Sequence, residues 1–202
     1  MRVSPSHPTL SPVGEREYRL GGRRNGRKKA MHRLHLLRHA KSARDEGVED
    51  RDRPLSRRGR DAARLVGETL PAALGRVDLV LCSSAQRTEE TAQLVLADFA
   101  APPHILFEDE LYLAGHAALL RRLLRLDEAD GTVLVIGHNP GLHELALRLA
   151  AADSPTYRAL AAGKFPTTAR ASFAIDCAWA ALDRSRHRLV DYVTLKSLGD
   201  RD

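Results

Sequence analysis

The stretch TVLVIGHNPGLHELALRLA, Thr132 to Ala150, changes its apolar period in the middle. Its first part, TVLVIGH, is a continuous apolar run of the kind found in a strand covered on both faces. From Leu142 onward the period becomes helical, with Leu142, Leu145, Ala146 and Leu149 on one face. Asn139 stands where a helix N-cap is expected and Pro140 where the first helical residue falls. A buried strand that runs straight into an amphipathic helix is the building unit of a parallel α/β sheet.

The same alternation extends in both directions. Upstream, RLHLLRH (residues 33–39) reads as a strand, and a charged loop, Lys41–Arg53, follows it. PLSRRGRDAARLVGETL then predicts a helix capped by Ser56, with Ala62, Ala63, Val66 and Leu70 inward. VDLVLCSS is a second buried strand, and AQRTEETAQLVLADF a helix with Thr88, Ala92, Val95 and Leu96 in register. HILF predicts a short strand and HAALLRRLLRL an apolar-faced helix. Downstream, ARASFAIDCAW and HRLVDYVTL flank the turn-like LDRSR and read as a pair of strands. The expected architecture is a mainly parallel central sheet with helices on both faces, in one domain over residues 31–202.

Composition narrows the function classes. The chain has 202 residues and a net charge of +6. Residues 1–30 carry eight Lys or Arg against Glu15 and Glu17, which is the whole excess, and the remainder carries 24 of each sign. That first segment is rich in Pro, Gly and Arg without apolar periodicity, so it reads as a disordered basic arm. It has no secretory apolar core. A solvated arm, an upstream start preceding a natural one near Met31, and a targeting or nucleic-acid arm all fit its composition. Cys82 and Cys177 are the only thiols, without C-x-x-C spacing, and read as small core residues in a reducing compartment. No run approaches a membrane span, and the expected location is the cytoplasm. The neutral body argues against nucleic acid as a partner.

Ligands of open parallel sheets bind beyond the carboxyl ends of the strands. The first strand ends in Arg38-His39, the second in SSAQR with Arg87, and the TVLVIGH strand in GHNPG with His138. Singly, each has an ordinary structural reading. Together, two guanidiniums and two imidazoles at one edge, with no carboxylate at those ends, would repel one another unless an anion with several oxygens sits between them. Arg forks match phosphate, and free N–H groups at the helix start after Asn139 would add to the field.

These residues lie in stretches that resemble a known family. LLRHAKS, SSAQRTEETA and VIGHNPG, in this order, are similar to the three signature stretches of the histidine phosphatase superfamily, which has the phosphoglycerate-mutase-like fold. The likeness covers most of Met31–Val193. The short length, with RPLSRRG, ELYLAG and FPTTARASF, most resembles the SixA-type phosphohistidine phosphatases, which lack the helical cap of larger members. The resemblance implies that His39 is a nucleophile that becomes phosphorylated, that Arg38, Arg87 and His138 hold the phosphoryl oxygens, and that no metal or other cofactor is needed. Arg38 and Arg87 are expected to lower the His39 pKa by like-charge repulsion. Ala40 stands where the family motif has Gly.

The larger family members protonate the leaving oxygen with a carboxylic acid. Asp45, Glu108 and Glu110 are the candidates here, and their ordinary reading is solvated loop charge. A site without such an acid favours phosphohistidine as substrate, because imidazole leaves well unassisted whereas an alkoxide does not. The implied partner is a phosphorylated protein, such as a phosphotransfer domain. A small phosphomonoester, a sugar phosphate or nucleotide, is the alternative substrate. A catalytically weak phosphate-recognition module is the alternative of another class. Of the remaining candidates, Lys41 and Ser42 read as surface residues and His35 as a packed sheet residue. Gly141 allows close backbone packing, Thr167 and Thr168 stand before a late strand as turn residues with contact to the pocket as the lesser reading, and Trp179 belongs to core or rim.

Overall fold

The computed structural model describes Met1, residues 32–44 and residues 46–199. The basic arm, residues 1–30, therefore lies outside the described residues apart from Met1, and so does Asp45.

Six strands form one sheet in the order β3-β2-β4-β1-β5-β6. They are β1 His32–Arg38, β2 Leu79–Ser83, β3 His104–Glu108, β4 Thr132–Gly137, β5 Arg170–Ile175 and β6 Arg188–Val193. The β3-β2, β2-β4 and β4-β1 pairings are parallel. β5 runs antiparallel to both β1 and β6, and residues 176–187, with a 3₁₀ turn at Trp179–Ala181, connect the last two strands, a longer connection than the LDRSR turn expected.

Strand alternation divides the core into two layers. Leu34 and Leu36 of β1, Leu79 and Leu81 of β2, and Val133 and Val135 of β4 pack on one face with helices α3 (His116–Leu123) and α4 (Gly141–Leu149). Leu37, Val80, Cys82, Leu134 and Ile136 point the other way, onto α1 (Arg57–Leu74) and α2 (Gln86–Val95). Ser56 caps α1 by accepting from Gly59 N–H at 3.0 Å. Each predicted inward residue of α1, α2 and α4 is buried.

Four expectations need correction. Asn139 does not cap α4: the helix starts at Gly141, Pro140 occupies the cap position, and the Asn139 amide donates instead to the Phe165 carbonyl at 2.8 Å. A long-range partner has outcompeted the local cap. The Leu142 N–H closes on the His138 carbonyl at 3.1 Å, so that part of the helix start is not free for an anion. Cys177 is half-buried at the end of β5 and is not a core residue, in contrast to Cys82. A short helix, α5 (Tyr157–Ala162), also stands where the sequence pattern shows none; at six residues it is too brief to display a period.

Candidate active site

The carboxyl ends of β2, β4 and β1, neighbours in the sheet, deliver Arg87, His138 and Arg38-His39 to one cleft of about 1200 Å³. The His39 and His138 rings lie 5.1 Å apart between centroids. The four residues predicted from strand ends thus converge. Thr167, Lys41 and Ser42 also line the cleft.

His39 is set by its own backbone neighbourhood. Its Nδ1 lies 2.7 Å from the Ala40 carbonyl, which can only accept, so Nδ1 carries the proton and Nε2 presents a lone pair. Burial, then the guanidiniums of Arg87, Arg38 and Arg53, bring the His39 pKa down to about 4, although the Ala40 bond opposes this. Like-charge repulsion acts as expected from the sequence, with burial the larger cause. Ala40 is tolerated in place of glycine because its backbone is not left-handed, and its N–H donates to Thr91 Oγ1 at 3.0 Å.

His138 is held from both sides. Arg87 donates to its Nδ1 at 3.3 Å, so the proton sits on Nε2, which donates to Ser83 Oγ at 2.8 Å. Burial, then His39 and Arg87, lowers its pKa to about 3. Arg38 donates to the Phe165 carbonyl at 2.8 Å, while its buried Nε has no partner. Its pKa is lowered by burial and by Arg87.

Sequence reasoning missed Asp50. This residue lies in the charged loop, at a single 3₁₀ turn, Asp50–Asp52. Arg87 donates to its carboxylate at 3.0 Å and also to its backbone carbonyl. Tyr112 O–H donates to the same carboxylate at 2.7 Å and Arg53 at 2.9 Å. Those donors hold the Asp50 pKa near 2, the Tyr112 bond first. Tyr112 also meets the His138 ring edge-on at 5.6 Å. Asp50 belongs to a run with many acids and no period, so nothing in the sequence singled it out.

The carboxylate candidates fare differently. Glu108 is bound by Arg122 through both oxygens, at 2.7 to 3.0 Å, and with Glu110 it lines a separate cavity. Neither borders the cleft. Among the described residues the cleft is lined by eight Lys or Arg and no Asp or Glu. That donor set suits an anion and offers nothing to hold a hard divalent cation.

Thr168 has φ of +62°, an unusual backbone for a β-branched residue. Its N–H reaches the carbonyls of Arg38 and His39 at 3.1 and 3.3 Å, so this turn pins the end of β1. Thr168 is buried as a positioning residue, while Thr167 borders the cleft. His35 lies in the sheet, 2.9 Å from Ser172 Oγ. Trp179 is fully buried and stacks on His32 at 4.7 Å.

Comparison with known proteins places the chain in a family. The model of the histidine phosphatase superfamily (branch 1) matches residues 34–111. An uncharacterized Mycobacterium tuberculosis protein is 37% identical over 159 residues, covering 77% of this chain and 98% of the relative. The chain belongs to the histidine phosphatase superfamily, and within it is of the SixA type. A protein of Nakamurella multipartitia assigned as a SixA phosphohistidine phosphatase superposes with a TM-score of 0.71 at 29% identity, over 81% of this chain and 95% of that one. The protein histidine phosphatase SixA complexed with tungstate superposes at 0.67 and 25% identity, over 82% and 99%. Phosphatase activity follows from the family. No helix among the described residues is long and apolar enough to cross a membrane.

Proposed function

We propose that this phosphatase hydrolyses phosphohistidine on a protein, without a metal, by way of a phosphoryl group carried on His39. The carrying observation is the His39 ring: a neutral Nε2, its tautomer fixed by the Ala40 carbonyl, inside a cleft of cations. At neutral pH this nitrogen is available to attack phosphorus, since its pKa is about 4. With its other ring nitrogen protonated, the substrate leaves as neutral imidazole: its N–P bond breaks as the His39 Nε2–P bond forms. Water then attacks that phosphorus, breaking the His39 N–P bond and giving its proton to solvent as phosphate departs.

Arg38, Arg87 and His138 hold the equatorial oxygens, whose charge they stabilise without reorganising. An arriving phosphoryl dianion opposes the positive field that lowers the His138 pKa. With a proton on Nδ1, His138 turns from acceptor for Arg87 into donor to phosphate. The tungstate held by the SixA relative is a tetrahedral oxyanion of the same charge class. Among the described residues no carboxylate lines the cleft to protonate an alkoxide, and Asp50, which binds Arg87 with a pKa near 2, is ionised. That combination favours a leaving group that departs unaided, which imidazole is.

The test compares a phosphohistidine peptide, phosphoramidate, and aryl and alkyl phosphates, with intact-mass detection of a phosphorylated enzyme. Expected are fast turnover of the first two, slow turnover of aryl and slower of alkyl esters, and an acid-labile adduct absent in His39→Ala. Rates independent of the leaving group would instead assign a small phosphomonoester and an overlooked acid. Undiminished turnover by His39→Ala would remove the covalent route altogether.

A further inference from the structure

Asp176 and Cys177 follow β5 directly, and His187 immediately precedes β6. One ligand atom from each, a carboxylate oxygen, a thiol sulfur and an imidazole nitrogen, lies within 4.8 Å of the other two. None of the three borders the phosphate cleft.

His187 supplies a second, separate observation. Its side chain is fully buried, and Nε2 lies 2.8 Å from the Leu182 carbonyl. A carbonyl only accepts, so Nε2 carries the proton and Nδ1 a lone pair. That Nδ1 has no hydrogen-bond partner, with Asp176 Oδ1 3.9 Å away. A buried lone pair left bare is costly in a folded protein. An imidazole whose N–H is anchored on a backbone carbonyl while the other nitrogen stands free is the arrangement that metal-binding histidines adopt.

We propose that Asp176, Cys177 and His187 form a zinc-binding site. The neutral imidazole, the thiolate and the carboxylate sum to two negative charges, which a divalent cation neutralises. The mixed nitrogen, sulfur and oxygen set suits tetrahedral Zn²⁺ over Mg²⁺ or Ca²⁺, and solvent fills the fourth position beside exposed Asp176. On binding, the Cys177 sulfur gives its proton to solvent and bonds the metal, with no change of oxidation state. Rotation of the Asp176 and Cys177 side chains draws the three donors inward, because His187 is already fixed. The bound ion then ties the end of β5 to the start of β6 across their connection.

The probe is Co²⁺, titrated into the full chain under reducing conditions. Expected is a thiolate-to-cobalt charge-transfer band that saturates at one equivalent, is bleached by Zn²⁺ and is lost in Cys177→Ser. Cys82 cannot give it, being fully buried. Asp176→Asn keeps the fold and should weaken Co²⁺ at least tenfold. Zn²⁺ should raise the melting temperature of the parent and leave that of Cys177→Ser unmoved. No charge-transfer band in the folded parent, or a band that survives in Cys177→Ser, overturns the assignment. An equal Zn²⁺ shift in parent and Cys177→Ser does so as well.

Discussion

At the scale of single residues, the site is organised by what already occupies each hydrogen-bonding atom. The Ala40 carbonyl selects the tautomer of His39, and Arg87 divides its guanidinium between His138 and Asp50. Because Asp50, Arg87 and Tyr112 share one carboxylate, their contributions should be non-additive. Asp50→Ala is expected to lower kcat/KM in the parent but to have little further effect in Arg87→Ala, as a double-mutant cycle measures; fully additive losses would mean that Asp50 does not act through Arg87. Arg87→Ala itself should weaken inhibition by inorganic phosphate by about 1.5–3 kcal/mol, the range for a charge-assisted bond. Arg38, His39 and His138 were legible because each ends or directly follows a strand whose type was clear, and Arg87 because it stands in the first turn of the helix after β2. Asp50 was not, since an irregular loop carries no period and its role depends on partners 37 and 62 positions away.

At the scale of elements, close backbone approach aims the loops. A β-carbon on Gly141 would come within 1.9 Å of the Ala114 carbonyl, and one on Gly59 within 2.0 Å of the Lys41 carbonyl. Gly141→Ala must therefore push α4 from the Leu113–Gly115 turn, at an expected cost of about 1–3 kcal/mol in urea unfolding, typical of overpacking. Because α4 follows His138 directly, kcat should fall as well; unchanged stability would show that the turn yields freely. The expectation of close packing at Gly141 was sound, whereas the cap at Asn139 was not. Propensity ranks local partners and could not weigh the Phe165 carbonyl, 26 residues downstream. The pairing of the last two strands was readable from their adjacency in the chain, but the position of β5 beside β1 was not, because nothing local specifies which edge such a pair joins.

For the whole molecule, three buried histidines set an acid limit. His35 and His138 have pKa values of about 3 and His39 about 4, each below the ordinary 6.5 chiefly through burial. Between those values and 6.5 the unfolded chain binds more protons, so stability must decline as pH falls through that window, by up to about 1.4 kcal/mol per unit per histidine. Above pH 6.5 they contribute no slope. Urea midpoints measured from neutral pH down to pH 4 test this, and His35→Gln should flatten the curve; a level profile in the parent would contradict the buried neutral state. Charge distribution adds a second expectation. Among the described residues eight Lys or Arg line the cleft, while residues 31–202 carry 24 charges of each sign. A phosphohistidine peptide with acidic flanks should therefore lose kcat/KM with rising salt more steeply than phosphoramidate. Lys164→Glu with Lys196→Glu should flatten that slope; equal slopes for both substrates would leave the rim without influence. The reversal of β5 carries one more consequence. Because that strand alone points backwards, the segment entering it, with Lys164, Pro166 and Thr167, arrives at the edge that the neighbouring strands leave. The rim thus has one wall that belongs to no strand-to-helix junction and holds none of His39, Arg87 or His138. Such a wall is a modular face: exchanging the Lys164 and Thr167 side chains would redraw which phosphorylated surfaces fit, while the Phe165 carbonyl between them keeps its hold on Arg38 and Asn139.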